Sequence, residues 1–275
     1  MKLHYLGTAA AEGIPSLFCQ CDACENARKK GGKEIRTRSQ ALIDDCLLID
    51  FPADSHAHML KYGIDMTKIN NCLITHIHGD HLYPGEFGYI HFPFSARLHD
   101  GYTFTVHGSE AVKERVEFIG NNPDGRFRFN ELAPFTPTEI DGYTVTALKA
   151  RHGSPHPRIF IIEKNGKTLL YAHDTDIPKE ETLDYIKESG VRFDLVSADC
   201  TEGAYEDLSY HGHMCLGRNI KFRQILTDMG AIDKNTKYVL NHFSHNGPSV
   251  DYESFTEIAG KEGFTVSYDG MVVEI

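Results

Sequence analysis

The sequence predicts an α+β (α/β) chain built as a four-layer αββα sandwich, two β-sheets packed face to face with helices outside. Short apolar, β-rich runs recur along its 275 residues, hairpin signals join the early ones, and helical periodicity separates the later ones. Strands are expected at 2–6, 40–43, 46–50, 71–75, 103–107, 143–149, 158–163, 168–172, 194–198, 238–241 and 264–268. Asn165-Gly166 lies between two of them and reads as a tight hairpin turn. Helices are expected at 54–62, 109–119, 179–189, about 213–229 and 251–260, several opening on a Ser or Asp able to cap. Hairpins early and strand–helix alternation late favour two packed sheets over a single doubly wound one.

With no fixed-period repeat and no low-complexity linker, residues 1–275 read as a single domain. An insertion or loop is expected at about 120–137, where Gly and Pro interrupt the pattern, and a small cysteine-bearing loop at about 15–30. Lys+Arg number 28 against 39 Asp+Glu, a formal net charge of −11. That field repels polyanions, so nucleic acid and anionic membrane surfaces are disfavoured partners. No apolar run approaches the roughly 18–20 residues of a spanning helix, and Met1–Gly7 lacks the apolar core of a signal peptide, so the expected compartment is the cytoplasm. Sixteen His and an odd seven Cys point to metal ligands and buried thiols, not to a disulfide framework.

The sharpest motif is Thr75-His76-Ile77-His78-Gly79-Asp80-His81, directly after an apolar run. A tight turn at the end of a buried strand would converge these side chains on one point. Neutral imidazole and carboxylate suit Zn²⁺, Mn²⁺ or Fe²⁺. This His-x-His-x-Asp-His loop resembles the hallmark of the metallo-β-lactamase superfamily. Its later elements have counterparts here in order: Arg151-His152-Gly153, Ala172-His173-Asp174-Thr175 and Asn241-His242-Phe243. The resemblance spans essentially the whole chain and implies the four-layer fold of that type.

It also implies a binuclear site, with His76, His78 and His152 on one metal, Asp80, His81 and His242 on the other, and Asp174 bridging them. One anionic bridge holds two dications roughly 3.5–4 Å apart, and the water they share, losing a proton near neutral pH, is the nucleophile. The expected cofactors are two divalent ions, Zn, Mn or Fe. His173 beside the bridge is expected to hydrogen-bond behind the ligands.

Near the N-terminus, Cys19-Gln20-Cys21-Asp22-Ala23-Cys24 can close around a tetrahedral ion if a fourth donor comes from elsewhere. The Gly7-Thr8…Glu12-Gly13-Ile14-Pro15 opening and this loop resemble the PhnP-type phosphodiesterases. That resemblance implies a structural Zn of Cys19, Cys21, Cys24 and His245, three residues beyond His242. Free thiols in a loop are the competing reading.

A departing alkoxide benefits from a proton donor. Tyr210-His211-Gly212-His213-Met214 supplies two candidates, with His213 favoured over His211 and Asp80 a second proton carrier. Arg36 and Arg38 could meet a phosphate or form surface ion pairs, and Thr8 and Ser16 could line the pocket. The expected function is a metal-dependent hydrolase, a phosphodiesterase of small or cyclic phosphate diesters. Alternatives are a tRNA 3′-processing endonuclease, a lactone or thioester hydrolase, and a non-enzymatic scaffold stabilised by metal. A homodimer is the expected assembly only on general grounds, because no periodic apolar face marks an interface.

Overall fold

Alternation along the strands sets the layers in the computed structural model, which describes residues 1–120, 124–248 and 250–275. One sheet takes β1 (Lys2–Gly7), β2 (Gln40–Ile43), β3 (Leu47–Ile49), β4 (Asn71–Leu73), β5 (Phe104–Gly108) and β6 (Phe127–Glu131). The other takes β7 (Pro137–Ile140), β8 (Tyr143–Lys149), β9 (Arg158–Lys164), β10 (Lys167–Ala172), β11 (Leu195–Asp199), β12 (Lys237–Asn241) and β13 (Thr265–Val266). A last strand, β14 (Val272–Glu274), returns to pair with β1. Each sheet is antiparallel in one half, β14-β1-β2-β3 and β7-β8-β9-β10, and parallel in the other, β3 to β6 and β10 to β13. In β9, Phe160 and Ile162 face the first sheet's Tyr5, Ala41 and Ile43, while Ile159 and Ile161 face the helices. Period-two side chains that are apolar on both faces require exactly this kind of covered sheet.

The helices are α1 (Asp22–Lys30), α2 (Ser55–Tyr62), α3 (Glu110–Val116), α4 (Glu180–Ser189), α5 (Leu216–Asp228) and α6 (Tyr252–Lys261). Phe222 and Leu226 of α5 and Phe255 and Ala259 of α6 cover the second sheet. Val112 and Val116 of α3 cover the first. Asp251 caps α6 through the Ser254 amide, as its position suggests. Asp54 does not cap α2, because its carboxylate is taken by the Arg38 amide and guanidinium. Among the described residues no helix is long and apolar enough to cross a membrane.

Two local readings change. Strand β6 lies inside the stretch 120–137 expected as a loop, and residues 121–123 of that stretch lie outside the described residues. Its register comes from parallel pairing with β5, a partner the local sequence does not reveal. The cysteine loop runs into α1, whose first turn carries Asp22 and Glu25 and whose last carries Arg28, Lys29 and Lys30, a charge order that favours the helix dipole. Gly7 is required by close approach, since a Cβ there would stand 2.0 Å from the Arg38 carbonyl oxygen where β1 and β2 slip register.

Candidate metal centre

The side chains of the two histidine-rich donor sets sit where strands end. The loop after β4 carries His76, His78, Asp80 and His81; His152 follows β8, Asp174 follows β10 and His242 follows β12. Strand ends gathered at one edge leave side chains free to converge over a rigid base. Asp50, Asp174 and His242 adopt positive φ of 64°, 50° and 65°, backbone tolerated where surrounding structure holds it.

Two donor sets meet on Asp174. In the first, His78 Nδ1 lies 3.0 Å from His76 Nε2 and 3.1 Å from His152 Nε2, and Asp174 Oδ2 is 3.1 Å from His76 Nε2. In the second, His81 Nε2 is 3.1 Å from His242 Nε2, 3.2 Å from Asp80 Oδ2 and 3.0 Å from the same Asp174 Oδ2. Tetrahedral coordination with bonds near 2.1 Å would separate donors by about 3.4 Å, so the spacing suits a cation at the centre of each set.

The outer hydrogen bonds choose which nitrogen carries a proton. His152 Nδ1 donates to the Gly212 carbonyl at 2.9 Å, and His81 Nδ1 donates to Asp50 Oδ2 at 2.7 Å. Both rings therefore turn Nε2 inward, the nitrogen that would give its lone pair to a bound metal. Asp50 also accepts from the Thr75 amide and hydroxyl, fixing the start of the histidine loop. Asp174 Oδ1 is buried without a hydrogen bond. Inward-facing ring nitrogens and a buried carboxylate oxygen with no hydrogen bond are costly alone and natural around cations, so the residues fit divalent metals.

Burial and then His81 push the His76 imidazole down to about 3, and burial lowers His152. Burial works against charge on His81 too, but Asp80, Asp50 and Asp174 outweigh it and raise that ring well above its usual value. The Asp174 carboxyl is held well below the ordinary range despite burial, by His242 and His81. His213 meets the same contest: burial opposes its charge, yet Asp199 and Asp174 raise it to about 9. Its Nδ1 is 3.1 Å from Asp199 Oδ2 and 3.3 Å from Asp174 Oδ1. Asp199 is in turn held by the Thr201 and Met214 amides.

A cleft of about 310 Å³ opens over these groups, with His78, Asp80, His152, Asp174, His213 and His242 in its wall. On its rim, Glu12 accepts from the Ser244 hydroxyl, and His245 Nε2 is 3.6 Å from that carboxylate. The other face of His245 meets the cysteines: Nδ1 is 3.6 Å from Cys19 Sγ and 3.3 Å from Cys21 Sγ, and Cys24 completes the group. Tetrahedral zinc with three sulfurs and one nitrogen sets donor separations of about 3.6 Å.

The two candidate proton donors separate cleanly. His213 enters the cleft, whereas His211 pairs with Asp176, which Arg218 also holds at 2.9 Å. His173 lies behind the donors, its Nε2 2.7 Å from Ser197 Oγ and its Nδ1 near Asn241. Arg36 is neither a surface ion pair nor a phosphate contact, because it is buried on Phe243 and donates to Thr8 and Ser267. Thr8 is occupied with Arg36 and Asp269, and the Ser16 amide faces the Cys24 thiol, so neither lines the cleft. Asp50, Asp199, Thr201 and the Gly212 carbonyl are missing from the sequence reading. Asp50 and Asp199 each end an apolar strand, the one local signal available.

Fold and donor sets together define a protein of the metallo-β-lactamase type, with two groups of metal-ligating side chains at one sheet edge. The chain belongs to the beta-lactamase superfamily, whose domain profile matches residues 46–243. Ribonuclease Z of Bacillus licheniformis is 29% identical over 197 residues, covering 70% of this chain and 55% of that protein. The chain spans about half the length of the curated relatives it matches. Zinc-bound PqqB of Methylobacterium extorquens superposes with a TM-score of 0.77 at 18% identity, over the whole of both chains. A diphosphatase of the PhnP family superposes at 0.74 and 18% identity, over 100% of this chain and 97% of the other. At such identity these two likenesses show the fold alone.

Proposed function

We propose that the protein is a two-metal phosphodiesterase acting on small or cyclic phosphate diesters. In this reading His76, His78 and His152 hold one cation, Asp80, His81 and His242 hold the other, and Asp174 is shared. When bound, two divalent cations supply an acidified water and neutralise charge growing on the ester oxygens. The chain's own side chains do the rest. Asp50 and the Gly212 carbonyl keep His81 and His152 in the inward-facing tautomer. Asp199 steadies His213, which gives its proton to the departing alkoxide. Cys19, Cys21, Cys24 and His245 hold a structural zinc that pins the N-terminal loop to the cleft rim through Glu12.

The observation that carries the reading is the single Asp174 oxygen lying 3.0–3.1 Å from a histidine of each set. The test is hydrolysis of bis(p-nitrophenyl) phosphate by protein reconstituted with Mn²⁺ or Zn²⁺. Asp174→Ala should abolish turnover and lower the bound metal. Full activity in that variant would refute the shared carboxylate, and inactivity of metal-filled wild type on diesters would refute the substrate class.

A second reading, ribonuclease Z-like cleavage of tRNA, is favoured by the similarity to ribonuclease Z of Bacillus licheniformis. The net charge of −11 weighs against a long polyanion. Precursor tRNA assayed beside the small diesters separates the two.

A further inference from the structure

Asp174 offers two oxygens, and the two histidine-rich donor sets account for one of them. Oδ2 lies beside both sets, whereas Oδ1, on a side chain only 3% exposed, makes no hydrogen bond. Oδ1 faces a third cluster instead. His213 Nδ1 stands 3.3 Å from it, and the same nitrogen is 3.1 Å from Oδ2 of Asp199, the fully buried last residue of β11. The Thr201 hydroxyl adds an oxygen 3.0 Å from both His213 Nδ1 and Asp199 Oδ2. His242 closes the group, its Nδ1 3.1 Å from Asp174 Oδ1 and 3.7 Å from Asp199 Oδ2. The ligand atoms of Asp174, Asp199, His213 and His242 all lie within 4.8 Å of one another.

Octahedral coordination with bonds near 2.2 Å places neighbouring donors about 3.1 Å apart, close to the separations around His213 Nδ1. The donor chemistry differs from that of the other two sets. His242 is not needed as a ligand here, because its Nδ1 donates to Thr201 at 2.9 Å and its Nε2 faces His81. Two carboxylates, a hydroxyl and one imidazole remain, an oxygen-rich set that suits Mn²⁺ better than Zn²⁺. Asp174, Thr201 and His213 stand in the wall of the cleft, which gives an ion a way in.

We propose that Asp174 Oδ1, Asp199 Oδ2, His213 Nδ1 and the Thr201 hydroxyl form a third divalent-cation site, filled after the other two and inhibitory. An ion there replaces the hydrogen bond between His213 and Asp199. The proton on Nδ1 passes to solvent, and the ring, now uncharged, is a poor donor to a departing alkoxide. The site stands on geometry alone; the inhibition rests on the phosphodiesterase reading, in which His213 is the donor.

The test dialyses metal-stripped protein to equilibrium against rising Mn²⁺ and counts the bound manganese. Wild type should take up a third ion, held at least about tenfold more weakly than the first two because neighbouring dications repel it. Asp199→Asn and His213→Ala should each weaken that third step by about 10- to 100-fold or more and leave the first two. His213 is only partly buried, so its variant decides the matter if Asp199→Asn does not fold. Uptake that stops at two ions, or a third ion held equally well by folded variants, overturns the site. In turnover, Mn²⁺ at concentrations that fill the third step should inhibit cleavage of an alkyl diester and spare a p-nitrophenyl diester. Equal inhibition of both, or none while the third ion is bound, overturns the inhibitory role. If wild type cleaves neither diester, the phosphodiesterase reading fails, and the manganese count alone judges the site.

Discussion

Replacing Asp50 by Asn tests whether an outer hydrogen bond governs metal affinity. Asp50 is fully buried; Oδ1 accepts from the Thr75 amide at 2.8 Å and Oδ2 from His81 Nδ1 at 2.7 Å. Asparagine tolerates the same positive φ, so the backbone can stay in place. Its amide, however, has one acceptor where the carboxylate has two. If the oxygen keeps the Thr75 amide, the NH₂ points at His81 Nδ1 and drives the ring proton to Nε2, the nitrogen that should face the cation. If the amide flips, the Thr75 amide is left buried and unpaired. Either way, affinity at the Asp80, His81 and His242 set should fall about 10- to 100-fold, or about 1.4–2.7 kcal/mol. Chelator competition followed by metal analysis reads this directly, with far-ultraviolet circular dichroism to verify the fold. Folded Asp50→Asn protein that binds both metals as tightly as wild type would refute the tautomer argument.

Three other outcomes follow from the same geometry. His213→Ala should slow cleavage of an alkyl diester by about 10²- to 10⁴-fold but barely affect a p-nitrophenyl leaving group, which needs no proton; equal losses on both would remove His213 as the donor. Cys21→Ser should reduce zinc content by one ion per chain while leaving the two active-site ions, and unchanged zinc content would argue for free thiols. Burial lowers His107 to about 4, where it is held neutral between Asn71 and Asn130. Below its unfolded value near 6.5 the unfolded chain takes a proton that the folded chain refuses. The contribution is therefore complete above that pH and is lost on acidification toward 4, by at most about 3 kcal/mol. Unfolding free energies at pH 7.5 and 5 should show a shallower pH slope in His107→Gln, and an unchanged slope would count against the shift.

The parts legible in the sequence are those written locally. Residues 76–81 announce themselves because four donors share one turn, and β8, β9 and β10 announce themselves because their apolar runs are long and bounded by turn residues. Strand β6 was illegible because Phe127 and Phe129 gain their meaning only beside β5. Arg36 was misread for a related reason. An arginine flanking a strand looks like a surface charge until Phe243 and the Ser267 carbonyl, both distant in sequence, enclose it.

By itself, then, the sequence determined the layered fold, the order of the donor residues and the types of atom they offer, because periodicity and short motifs are properties of neighbours along the chain. Only the tertiary structure decided which donors lie around Asp174, that His213 and not His211 enters the cleft, and which ring nitrogens face an outer carboxylate or carbonyl. Those outcomes depend on Asp50, Asp199 and the Gly212 carbonyl, groups brought to the site by sheet packing across large sequence separations. Hydrogen bonds act over about 3 Å of space whatever the distance along the chain.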